Sequence, residues 1–272
     1  MKQYTLISGA TGGLGGAFVL DAARRGHDLL LTDTSEEKLH ELAKSIMGAY
    51  AINVLTFTCN LTEIKEREGL FNYINENGIE LFLTINVAGL DYEGETVLLT
   101  SEKISTIIKL NVESTLDICR FVAANNALKN FYIINVASMA GFYPMPYKAT
   151  YSASKSAILS FSLALRQEIK NDGGHVLALC PSGLRTNPNV CEKIDSQGFL
   201  GRITTIDTSI VARKTINKAL KNRSHFIPGS VNQFLVGISS ILSRDAKAKL
   251  IHKRWTSNLK KSVHSSRSMH IL

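Results

Sequence analysis

Long apolar runs are missing from this chain of 272 residues. No stretch approaches the roughly 18 uninterrupted apolar residues of a membrane-spanning helix, so a spanning protein is not expected. Residues 1–3 lead at once into the apolar segment Tyr4-Thr5-Leu6-Ile7, with no secretory h-region before it, which predicts a cytoplasmic setting. Cysteine is scarce and scattered: Cys59, Cys119, Cys180 and Cys191 form no CxxC pair and have no metal-ligand spacing. That speaks against a disulfide framework and a structural metal, and predicts reduced thiols packed as small apolar residues. Internal repeats, low-complexity tracts and a dividing linker are also absent.

Acidic residues are scarce in one place only. Residues 212–272 hold 13 Lys and Arg and a single acid, Asp245, a local balance of +12. The first 211 residues hold 18 basic residues against 22 acids, so the formal net charge of +8 belongs to the C-terminal end. An acidic body and the lack of an interleaved aromatic pattern argue against nucleic acid as a partner.

What is present is the composition of a soluble globular protein, 44% hydrophobic and 20% charged, at a length that can bury one large core. Short apolar runs at Tyr4–Ser8, Asp28–Thr32, Val54–Thr58, Leu81–Val87, Phe131–Ala137 and His175–Leu179 read as strands. Stretches of helical pattern separate them, at Gly15–Arg25, Glu36–Ile46, 63–76, 101–125 and 152–171, with another at 208–221. The predicted fold class is α/β: a single doubly wound, Rossmann-type parallel sheet with helices on both faces, plus a helical C-terminal extension. Ligands are then expected at the carboxyl ends of the strands.

Residues 1–230 are expected to be one catalytic domain. The polar stretch after Pro181, with a substrate loop at 187–207, lacks periodicity and reads as a functional lid. Residues 231–272 form a basic amphipathic tail, with Val231, Phe234, Leu235, Ile238, Ile241 and Leu242 on one helical stripe. Such helices can cover the substrate pocket, pack on a sister subunit, or lie on an anionic membrane surface through 231–256.

Ser8-Gly9-Ala10-Thr11-Gly12-Gly13-Leu14-Gly15 ends the first strand and opens the first helix. Glycines allow a tight turn and a close backbone approach to a pyrophosphate, and the helix amino end supplies free N–H groups. At the end of the second strand, Asp33 can accept from the hydroxyls of an adenosine ribose and would repel a 2′-phosphate. No Lys or Arg lies in the glycine turn or in the few residues after Asp33 before Lys38. NAD is therefore the expected cofactor, with NADP less favoured.

Tyr151 and Lys155 are spaced i and i+4, which puts phenol and ammonium on one helix face. A nearby lysine cation, together with the cationic nicotinamide ring of an oxidised cofactor, is expected to favour the phenolate, lower the pKa and make Tyr151 an acid/base group. Thirteen residues before Tyr151, Ser138 closes the apolar strand, where its hydroxyl can hold a substrate oxygen.

These motifs, in this order, resemble the short-chain dehydrogenase/reductase family over roughly residues 4–190. The glycine turn is similar to the family's TGxxxGxG, with Ser8 for Thr, and implies cofactor contacts from Gly9, Thr11, Gly13, Leu14 and Gly15. The resemblance further implies an adenine site at Asn60 and Leu61, where the family usually has Asp. Asn86-Val87-Ala88-Gly89 resembles the NNAG turn, which places Asn86, Ala88 and Gly89 along the cofactor. Pro181 and Thr186 fall in a PGxVxT-like segment that holds the carboxamide of the nicotinamide. Catalysis is implied for Asn111, Ser138, Tyr151 and Lys155, with Asn111 holding a proton-relay water and Tyr151 and Lys155 also touching the cofactor. The implied activity is hydride transfer between a nicotinamide and a carbonyl or secondary alcohol, in a homodimer or homotetramer built on 101–125 and 152–171. The alternatives are a nucleotide-binding regulator without turnover and a membrane-associated scaffold. Phe142, Tyr143, Pro144 and Met145, after the serine, hint at a lipophilic small-molecule substrate.

Overall fold

A computed structural model of the chain describes residues 2–184, 205–253 and 255–256. The described residues form a seven-stranded, fully parallel sheet. Its strands are β1 (Lys2–Ser8), β2 (Asp28–Asp33), β3 (Val54–Thr58), β4 (Ile79–Asn86), β5 (Phe131–Val136), β6 (Gly174–Leu179) and β7 (His225–Phe226), in the order β3-β2-β1-β4-β5-β6-β7. The chain winds outward from β1 to β3, then returns to β4 on the other side of β1. That reversal opens a crevice at the carboxyl ends of β1 and β4.

Successive strand residues serve opposite faces, as the pleat requires. Ile7, Leu29, Leu31, Leu83, Ile134 and Leu177 point to one layer, together with helices α1 (Gly13–Arg24), α2 (Glu36–Ala49) and α7 (Thr208–Leu220). Leu6, Leu30, Ile133 and Val176 point to the other, against α3 (Ile64–Glu76), α5 (Ser114–Asn125) and α6 (Ala149–Glu168). Local signals start these helices. Before α2 the Ser35 side chain accepts from the Lys38 N–H, Glu36 and Glu37 occupy the first turn, and Leu39, Ala43 and Ile46 form the buried stripe.

The structure departs from the sequence pattern in two places. The helix expected over 101–125 is α4 (Ser101–Ile108), a π-helical turn (Lys109–Glu113) and α5. The π turn leaves the hydrophobic period nearly intact, which hides it from a periodicity argument. Strand β7 has two residues and is too short to show alternation. The tail begins as α8 (Ser230–Ser239), whose Val236 packs against a buried cluster of the body that includes Ala137, Ile158 and Cys180. Residues 244–253 continue as helix.

One buried charge ties the second layer together. Arg67 of α3 is 2% exposed and donates to Asp117 of α5, to Glu113 of the π turn and to the Leu61 carbonyl. Glu113 is two residues from Asn111, so this network sets the π turn as well as the helix packing. Replacing Arg67 with Ala is expected to cost roughly 2–4 kcal/mol, below the full value for a buried pair because both carboxylates are partly exposed. Urea unfolding followed by circular dichroism measures it; an unchanged midpoint would refute the structural role.

Candidate active site

The glycine turn lies where the sheet reverses. Gly9 has φ +64, and a Cβ there would meet the Ala88 N and Cα at 2.9 Å, so the turn and the chain leaving β4 touch backbone to backbone. Ser8 holds them in register by accepting from the Val87 N–H at 3.1 Å and the Ala88 N–H at 3.4 Å. Gly12 is the N-cap of α1 and supplies no side-chain cap, and the first turn, Gly13-Leu14-Gly15, carries no acid. The helix amino end therefore keeps unclaimed N–H groups and its partial positive charge, which fits a diphosphate.

Asp33 sits at the neighbouring edge but is already engaged. Its Oδ2 accepts from the Thr11 N–H at 2.9 Å and the Thr11 hydroxyl at 2.6 Å, and its Oδ1 accepts from the Thr34 N–H at 2.8 Å. A carboxylate offers about four acceptor positions. One acceptor position remains on Oδ1. Asn60 is also committed: its Oδ1 accepts from the Thr62 N–H and hydroxyl, and its own N–H donates to Glu66. Asn86 turns away from the crevice. Its Nδ2 donates to the Asn135 Oδ1 at 2.8 Å, and Asn135 donates to Ser162, so the pair stitches β4 to β5 and α6. Buried Leu61 contributes its carbonyl to Arg67. Thr186 and most of 187–207 lie outside the described residues.

The proposed catalytic side chains do converge. Ser138 follows β5 in extended backbone, φ −168, ψ 160; its Oγ accepts from the Ala140 N–H and donates to the Pro181 carbonyl at 3.4 Å. The Ser138 hydroxyl lies close enough to the Tyr151 phenol to lower its pKa. Tyr151 and Lys155 lie on α6, with the Lys155 Nζ 5.9 Å from the Tyr151 ring centre and donating to the Val136 carbonyl at 2.8 Å. Asn111, fully buried, donates to the Leu90 carbonyl and the Ser154 hydroxyl and accepts from the Leu90 N–H. A Cβ on Gly89 would stand 3.1 Å from the Asn111 Oδ1 and 3.3 Å from the Lys155 Nζ. Gly89 thus lets the chain pass directly over both groups.

In the protein alone, burial sets the protonation of the pair. Burial pushes the Tyr151 phenol up to about 12, with Asp91 adding to the rise and the Ser138 hydroxyl opposing it. Burial also lowers Lys155 to about 8, against smaller upward pulls from Asp91 and Cys180. Desolvation outweighs the lysine charge because neither group is well hydrated. In the protein alone, Tyr151 is a neutral phenol at ordinary pH.

Sequence reasoning missed the rim of the site. Lys148 pairs with Asp91 at 2.5 Å and with Glu93 at 3.5 Å, 5.7 Å from the Tyr151 ring centre. Tyr147, at φ 63, receives the Gly94 N–H on its carbonyl and stacks on His252 of the tail at 5.9 Å. Tyr143 accepts from the Ser239 hydroxyl at 3.0 Å and lies beneath Lys247. Ser154, which holds Asn111, and buried Cys180 beside Lys155 belong to the same shell. Only the aromatic residues after Gly141 carried any signal in the sequence, because the other contacts join segments distant along the chain.

Among the described residues no cluster of His, Cys, Asp or Glu could hold a metal. A parallel sheet with a glycine turn at its switch point, and a Ser, a Tyr and a Lys gathered at the adjoining strand ends, defines a nucleotide-dependent enzyme fold of dehydrogenase type. The family model described as short chain dehydrogenase matches residues 3–195, and the chain belongs to that family. A very-long-chain 3-oxoacyl-CoA reductase of Danio rerio is 28% identical over 190 residues, covering 66% of this chain and 58% of the relative. The chain therefore spans less than two thirds of that relative's length. Among solved structures, a short-chain dehydrogenase from Sphingobium yanoikuyae in complex with NADPH superposes with TM-score 0.74 at 24% identity, covering 90% of this chain and 97% of the other. A short chain dehydrogenase/reductase from Burkholderia phymatum in complex with NAD gives TM-score 0.75 at 21% identity, covering 86% and 92%.

The lysine shift has a sign that can be measured. Lys155 in the unfolded chain titrates at 10.5 and in the folded protein at about 8, so between these values the unfolded state holds a proton that the folded state has released. The burial penalty is complete below pH 8 and is relieved as pH rises toward 10.5. Lys155→Met is expected to melt above the wild type at pH 7, with the gap closing between pH 8 and 10. Thermal melts by circular dichroism across that range test this, and a gap independent of pH is the contrary result.

Proposed function

We propose that the protein is a nicotinamide-dependent oxidoreductase that interconverts a carbonyl and a secondary alcohol on a lipophilic small molecule, working as a reductase at neutral pH. The observation that carries this reading is the meeting of Ser138, Tyr151 and Lys155 beside an uncapped helix amino end. A bound reduced nicotinamide supplies the hydride. Ser138 holds the substrate oxygen, and Tyr151, a neutral phenol, gives its proton to that oxygen as charge develops there. Lys155 is fixed by the Val136 carbonyl and holds positive charge near the phenol, which favours loss of the Tyr151 proton only once the oxygen demands it. Asn111, locked between Leu90 and Ser154, fixes the floor of the lysine pocket. The aromatic rim at Tyr143 and Tyr147 supports a lipophilic substrate and keeps water out. The reductase direction is in keeping with the name of the Danio rerio relative.

NAD is the proposed cofactor, because Asp33 places a carboxylate where a 2′-phosphate would go. A cytoplasmic setting is supported by the buried free thiols of Cys59, Cys119 and Cys180. A homodimer or homotetramer through the helices of 101–125 and 152–171 is supported by exposed Ile108 and Leu163 on those segments. A regulator without turnover would have no need of a phenol, a lysine and a serine placed on one oxygen site.

Two measurements test the reading. In a spectrophotometric screen with NADH and a panel of ketones, Tyr151→Phe should lower kcat/KM by about 10²–10⁴ while leaving NADH binding unchanged. Equal rates for variant and wild type would refute the assignment. Wild type should prefer NADH to NADPH, and Asp33→Asn should reduce that preference on the order of tenfold, equivalent to ~1.4 kcal/mol of charge repulsion. A wild type that prefers NADPH would reject the role given to Asp33.

A further inference from the structure

Helix α8 has two distinct faces. Asn232, Val236 and Ser239 face the body, and Val236 and Ser239 reach its core and Tyr143. The apolar stripe read from the sequence is turned away from that contact. Phe234 is 65% exposed, Ile238 53%, and Ile241, just beyond the helix, 88%. On the helix at 244–253, Lys247 and His252 lie over Tyr143 and Tyr147, while Lys249, Leu250 and Lys253 are exposed. Across the same rim, Val97 and Leu98 are 85% and 71% exposed, in a loop fastened to Tyr147 by the Gly94 N–H and to Lys148 by Asp91. Large exposed apolar side chains thus lie on α8 and on the turn at 96–98, two segments that meet the chain around Tyr151 through Tyr143, Tyr147 and Lys148.

We propose that this rim is a docking face for an anionic lipid bilayer, with α8 lying in the plane of the interface and the mouth of the active site opening against the membrane. An apolar stripe beside lysines, on a short helix with no acid, is the pattern of an interfacial helix. Charge decides the occupant. The helix at 244–253 carries Arg244, Lys247, Lys249 and Lys253 against one acid, Asp245, already paired with Lys249 at 2.7 Å, and across the rim Asp91 and Glu93 are paired with Lys148. A second copy on this face would set like charges against each other across a two-fold contact. A surface of anionic headgroups attracts the same cations. No described helix is long and apolar enough to cross a membrane. Such docking delivers a lipophilic carbonyl compound to Tyr151 from the bilayer. That delivery rests on the reductase reading, whereas the docking itself does not.

The test is flotation of the full chain with vesicles. Binding is expected to vesicles of equal parts phosphatidylcholine and phosphatidylglycerol, at least tenfold tighter than to phosphatidylcholine alone, since each basic residue near the surface contributes about a fivefold gain. It should weaken sharply in about 0.5 M salt. The double variant Phe234→Asp/Ile238→Asp should lose vesicle binding while keeping wild-type turnover of a short, water-soluble ketone. Lys249→Glu/Lys253→Glu should lose the preference for anionic vesicles. Equal flotation of wild type and the Phe234/Ile238 variant, or no flotation at all, overturns the proposal. So does a wild type that binds no vesicles but is a dimer in sedimentation velocity and becomes a monomer in that variant, because the face then belongs to a second copy. Anionic-vesicle binding that is lost in the variant, in a protein that reduces no carbonyl, upholds the docking and rejects the reductase reading.

Discussion

The backbone at Ala88 and Gly89 runs through a gap with no spare room on either side. Gly9 presses on Ala88 from the glycine turn, where a Cβ would come within 2.9 Å, and Asn111 and Lys155 press on Gly89 from the other direction. This squeeze connects the glycine turn to Lys155 through a single stretch of chain. The position of α1, the end of β4 and the floor of α6 depend on it. Ser8 pins the approach with two hydrogen bonds, and Asp33 stiffens the turn from the far side through Thr11. The turn is therefore preorganised by contacts within the protein before any ligand enters.

The same tight packing decides the chemistry. Enclosure raises Tyr151 to about 12 and lowers Lys155 to about 8, so both groups pay for burial in the direction of neutrality. A phenol that holds its proton is an acid in waiting, suited to an oxygen that becomes negative as hydride arrives. Arg67 works at one remove. By tying Glu113 and Asp117 to the Leu61 carbonyl it joins the chain leaving β3 to the π turn that carries Asn111.

The tail is part of the site's architecture. Ser239, Lys247 and His252 reach Tyr143 and Tyr147, so contacts to the body and an outward apolar stripe coexist on one segment. A helix with two such faces can roof a pocket with one and meet a surface with the other.

Much of this was determined by the sequence alone. Strand and helix periods, the glycine turn, Asp33 at a strand end, and the Tyr151/Lys155 spacing are all local, because side-chain direction follows from a few consecutive dihedrals. They placed the doubly wound sheet and Ser138, Tyr151 and Lys155 at one edge of it. Only the tertiary structure decided what each polar group does with its hydrogen bonds. Asn86 spends its amide on Asn135, 49 residues away; Asp33 spends one carboxylate oxygen on Thr11, 22 residues back; Arg67 finds Asp117 at a separation of 50. Burial, and with it the protonation of Tyr151 and Lys155, is likewise a property of everything packed around a residue, which no spacing along the chain encodes.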